Sequence, residues 1–66
     1  MSYIYGAFVG TRWALTYNRR TAEKFTRKHK GYVVRNRYNR GDMWDAPTFE
    51  HVGELIADFR AKPDNG

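Results

Sequence analysis

Twelve Lys and Arg side chains in 66 residues are the main chemical resource of this chain. Eight of them are Arg, the side chain suited to bidentate phosphate contacts and to stacking. Arg19, Arg20, Lys24, Arg27 and Lys28 recur at helical spacing, and Arg35, Arg37 and Arg40 follow close behind. Trp13, Tyr17, Tyr32 and Tyr38 interleave with them. Cations mixed with exposed rings are how single nucleic-acid strands are commonly gripped, the cations taking phosphates and the rings taking bases. The charges are also unevenly placed. Residues 1–41 hold ten Lys/Arg against one acid, Glu23, for +9, whereas residues 42–66 hold two against six acids, for −4. Such asymmetry points to a polyanion-facing surface in the first part of the chain, and the excess is more than solubility requires. The candidate binding residues are therefore Arg19, Arg20, Lys24, Arg27, Lys28, Arg35, Arg37 and Arg40, with Trp13 and Tyr38 as candidate stacking rings. A competing reading assigns the tyrosines to the core and the arginines to solubility alone.

Other chemistry is poorly supplied. There is no Cys, Ser2 is the sole serine, and His29 and His51 are the only histidines. A metal centre needs three or four converging ligands, and no His-rich tract or Asp/Asn-rich calcium loop occurs. Gly6 and Gly10 are not followed by the lysine and hydroxyl of a phosphate loop. The expectation is a protein that binds rather than catalyses, without cofactor or metal. Arg40-Gly41-Asp42 reads as a wet turn, not as an integrin ligand.

The length fits one domain spanning 1–66, of the kind that buries only about 60% of its unfolded surface. Eleven aromatic residues, two Trp, five Tyr and four Phe, each able to bury roughly 150–250 Å², can build a dense core without disulfides. Absence of cysteine favours a reducing compartment. The segment MSYIYGAFVG has no basic residue ahead of its apolar stretch and no long apolar run, so neither a signal peptide nor a membrane span is expected. Cytoplasmic location is the default.

The elements that position these groups follow from local pattern. Residues 3–9 and 12–17 read as a β-hairpin turning at Gly10-Thr11, with Trp13, Leu15 and Tyr17 on one face. Asn18 caps a helix running to about Lys30, where Gly31 stops it. Residues 32–38 form a third strand, with Tyr32, Val34, Asn36 and Tyr38 on one face and Val33, Arg35 and Arg37 on the other. Residues 39–42 turn, Met43-Trp44 is a short fourth strand, and Thr48 caps a second helix reaching Ala61 before Pro63. Phe49, Val52, Leu55, Ile56 and Phe59 would be its core stripe, beside an acidic ridge of Glu50, Glu54 and Asp58. The predicted class is α+β: an antiparallel sheet of three to four strands with two helices, in the order β-β-α-β-(β)-α.

The run Trp13-Ala14-Leu15-Thr16-Tyr17-Asn18, then Ala22 and Phe25, then Gly31-Tyr32-Val33-Val34, resembles small phage-encoded host-takeover and accessory proteins built on a hairpin-helix-strand unit. The resemblance covers residues 3–38 and implies docking on a host enzyme or on nucleic acid. Together with the charges, it leads first to a non-enzymatic module that binds nucleic acid, DNA or RNA, through the first helix and third strand. A second reading is an inhibitor or adaptor docking on an acidic protein surface. A third is a small toxin-type ribonuclease. An open sheet edge would also allow a symmetric homodimer.

Overall fold

A computed structural model describes residues 2–37 and 43–60. The expected hairpin forms from β1 (Tyr3–Val9) and β2 (Arg12–Thr16), paired from Val9↔Arg12 to Tyr5↔Thr16. Gly10 takes the left-handed φ of 59° that the turn needs. Asn18 then caps α1 (Arg19–His29), its Oδ1 accepting the Thr21 N–H at 3.1 Å. The helix ends one residue earlier than the glycine suggested: Lys30 carries the left-handed conformation (φ 59°, ψ 47°). Gly31 is instead required because any Cβ there would collide with the Phe8 carbonyl oxygen.

β3 (Tyr32–Arg37) returns antiparallel to β1, from Phe8↔Tyr32 to Tyr3↔Arg37. β2 and β3 therefore run in the same direction on either side of β1, and α1 crosses over β1 to join them. With a fourth strand, β4 (Glu54–Asp58), the sheet order is β2-β1-β3-β4, with every neighbouring pair antiparallel. The fold class is as the sequence pattern predicts.

The last third of the chain departs from expectation. Met43 and Trp44 form no strand. The cap of α2 (Ala46–Val52) is Asp45, not Thr48: Asp45 Oδ1 accepts the Thr48 N–H at 2.9 Å, and Pro47 sits in the first turn, where its missing N–H costs nothing. The helix stops at Gly53, and Glu54–Asp58 is β4, paired with β3. A helix continued through these residues would leave the outer hydrogen-bonding edge of β3 open, whereas a strand satisfies it. Ile56 is the extra residue of a bulge opposite Val33 and Val34. Of the expected core stripe only Phe49 is fully buried. Ile56 and Phe59 are half-buried, and Val52 and Leu55 are 54% and 52% exposed. The turn at 39–42, Tyr38, Arg40 and residues 61–66 lie outside the described residues.

Side-chain alternation gives the sheet two covered faces. Ala7 and Val33 meet Ala22 of α1 on one, with Tyr5, Ile56 and Ala57 around them. Thr26 is buried here too, its hydroxyl donating to the Ala22 carbonyl at 2.8 Å. On the other face Ile4, Phe8 and Val34 meet Phe49 of α2, flanked by Trp13, Tyr32 and Trp44. Phe8 stacks on Tyr32 at 5.0 Å and on Trp13 at 5.4 Å. Asn36, also buried, donates through Nδ2 to the Phe49 carbonyl at 2.9 Å, satisfying a helix-end acceptor.

Candidate nucleic-acid interface

In α1 the buried pair Ala22 and Thr26, four residues apart, fixes which side meets the sheet. At 3.6 residues per turn, Arg20, Lys24, Arg27 and Lys28 then fall within an arc of about 100° on the opposite side. All four are exposed. They span about 12 Å along the helix axis at 1.5 Å per residue, and α1 has no acid in its first turn to interrupt them.

Glu23 shares a surface groove with Arg20, Lys24 and Arg27 but gives its hydrogen bond to Arg19, and the other described acids are engaged away from the ridge. Glu23 pairs with Arg19 at 2.7 Å, one turn apart on the flank of α1. Glu54 on β4 pairs with Arg35 on β3, and the hydrogen bond raises the Arg35 pKa. Asp58 accepts two hydrogen bonds from the Arg60 guanidinium, at 2.9 and 2.8 Å, which hold its carboxyl down at about 2. Glu50 accepts the Tyr32 hydroxyl at 2.7 Å; burial first, and this bond second, push the phenol upward. Asp45 is lowered by hydrogen bonds from Thr48, side chain first and backbone second. Among the described residues, every carboxylate thus has a partner that is not on the outer ridge of α1. The acidic ridge expected on one helix does not exist: Glu50 lies on α2, Glu54 and Asp58 on β4. Arg20, Lys24, Arg27 and Lys28, which make no described ion pair, lie on the α1 side of the sheet, whereas Asp45 and Glu50 lie with α2 on the other.

The predicted site residues separate accordingly. Arg20, Lys24, Arg27 and Lys28 come together. Arg19 is beside them but shared with Glu23. Arg37 is exposed on the same side, at the end of the sheet where α1 begins, since it lies opposite Tyr3 while Thr16 lies opposite Tyr5. Arg35 is half-buried, paired with Glu54 and stacked 4.4 Å over the Tyr3 ring, so it holds strands together. Trp13 is on the opposite face, packed 5.4 Å from Phe8 and 5.6 Å from Phe49, so it does not join the cations. Tyr38 and Arg40 fall outside the described residues.

One ring beside the cations escaped the sequence pattern. Phe25 reads as core from its spacing with Ala22, yet it is 44% exposed. Together with Thr21, Lys24, Lys28 and His29 it lines a shallow groove of about 540 Å³. His29 and His51 lie on helices that cover opposite faces of the sheet, and no described group of His, Asp and Glu could hold a metal ion. No described helix is long and apolar enough to cross a membrane. No protein family, curated protein or solved structure matches the chain.

Proposed function

We propose that this chain is a non-enzymatic nucleic-acid-binding module whose contact surface is the outer side of α1. The observation that carries the reading is the set of four exposed cations, Arg20, Lys24, Arg27 and Lys28, which make no ion pair with any described carboxylate while each described acid has another hydrogen-bond partner. Fixed cations along one helix match a phosphate backbone, whose charges repeat every 3.4 Å or so per strand, so about 12 Å of helix faces three or four of them. Arg37 extends the surface at the end where α1 begins. Phosphate contacts set position without reading bases, so the ridge by itself predicts binding with little sequence preference.

The test is a binding titration at increasing salt. Four phosphate contacts imply a slope of log affinity on log salt of about −3 for a single strand and about −4 for duplex. Absence of binding to any DNA or RNA at low salt would overturn the reading, and the same cations would then be expected to dock on an acidic protein surface.

A further inference from the structure

Two grooves meet at Phe25. The inner one, about 280 Å³, lies between α1 and the outermost strand β2. Its floor is small and apolar, from Ala7, Ala14 and Ala22, with Leu15, Thr16 and Thr21 completing the lining. The outer one carries Lys24 and Lys28. Thr21 and Phe25 belong to both, so a slot for a flat apolar ring and a groove for anionic oxygens share a common wall. The Phe25 ring is held by the His29 imidazole, 4.7 Å away and tilted by 52°, while nearly half the residue remains open to solvent. Small-molecule pockets usually run to roughly 300–1,000 Å³; at about 280 Å³ the inner groove falls just below that range, suited to no more than one flat ring.

Resting on the nucleic-acid reading above, we infer that the preferred ligand is a single strand, with one unpaired base stacked on Phe25 in the slot between α1 and β2 while the adjoining phosphates lie against Lys24 and Lys28. A base in a duplex is stacked on its neighbours and cannot enter such a slot without being unpaired, whereas a single strand presents its bases freely. Thr16 Oγ1 accepts the Asn18 N–H at 3.1 Å and keeps its proton to donate, while the Thr21 hydroxyl can donate or accept, so neither imposes much choice among bases.

The experiment compares oligo(dT), oligo(U) and a DNA duplex on the wild type and on Phe25→Ala, Phe25→Leu and Phe25→Tyr. Stacking on Phe25 predicts tighter binding of at least one single strand than of duplex. Phe25→Ala should weaken the single strand by roughly 5- to 150-fold, the range that base–aromatic stacking supplies, and leave duplex binding within about twofold. Phe25→Leu keeps an apolar side chain over the Ala7–Ala22 floor but has no ring face, so it should lose single-strand affinity while remaining folded. Phe25→Tyr should retain it. Oligo(U) bound more tightly than oligo(dT) would identify RNA, and the reverse DNA; either fits. Unchanged single-strand affinity in a folded Phe25→Leu protein overturns the stacking site and leaves the ridge on α1 standing. Failure of the wild type to bind all three probes at low salt overturns both.

Discussion

Gly6 lies directly under the ring of Phe49: a methyl group at Gly6 would stand 2.6 Å from Phe49 Cε1 and 3.0 Å from Cδ1. The missing side chain in the middle of β1 is what lets a seven-residue helix sit on the sheet through one phenylalanine. Gly6→Ala should therefore overpack this contact and destabilise by about 1–3 kcal/mol. Chemical denaturation measures it, and a midpoint equal to that of the wild type would mean that α2 lifts away at no cost.

Phe49 is also the side chain on which that face of the core depends, since it is fully buried and touches Phe8, Trp13 and Trp44. Phe49→Ala should cost about 3–5 kcal/mol, enough to unfold much of a domain this small. Phe59, half-buried under the Arg27 guanidinium at 5.2 Å, should cost only about 1 kcal/mol when cut to Ala. Thermal melts of the two variants would decide between these positions, and equal losses would contradict this account of the core.

The division between free and paired cations predicts opposite phenotypes. Arg20→Gln with Lys24→Gln should flatten the salt slope by about 1.4 units on a single strand and about 1.8 on duplex, two contacts being lost. Their melting temperature should hold, as neither makes a described ion pair. Arg35→Gln should do the reverse: lower stability by stranding Glu54 and unstacking Tyr3, with little change in slope. Matched salt titrations and melts on the same samples test both halves.

Acid should weaken the fold through Asp58 and Asp45, whose carboxyls are held below their ordinary value of 3.8, Asp58 at about 2. A depressed folded-state value stabilises the native chain at pH above the ordinary carboxylate range. That contribution drains away as pH falls from about 4 towards 2. Both groups are on the surface, so each effect is small and salt-sensitive. Stability measured across this window should fall less steeply in Asp58→Asn than in the wild type, and parallel curves would unlink the Arg60 pair from folding.

The first half of the fold was legible because its signals are local: alternation over Arg12–Thr16, Asn18 as a cap, and a return strand rich in β-branched residues. Residues 53–59 were misread because Phe49, Val52, Ile56 and Phe59 fit one helical period, while the force that ends the helix at Val52 and makes Glu54–Asp58 a strand is the unpaired edge of β3, some twenty residues away. The same limit applied to the site. Arg35 looks like every other arginine until Glu54 is brought beside it. Trp13 and the outer side of α1 are separated by a sheet that sequence spacing does not reveal, and Phe25 borders an open groove between α1 and β2 that its spacing with Ala22 gives no sign of.

Strand order carries a consequence for biosynthesis. Of the four described strands β4 is made last, yet it supplies the outer neighbour of β3. On an elongating chain, β1, β2, α1 and β3 are available before residues 54–58 emerge, and until then Val33 and Val34 border an open ladder of the kind that recruits foreign strands. Phe49 arrives in the same late segment, so the apolar surface of Ile4, Phe8 and Val34 also waits for its cover. A nascent chain released before residue 45 would be sticky along one rim and across one face, and would be recovered in the insoluble fraction rather than as a smaller folded unit.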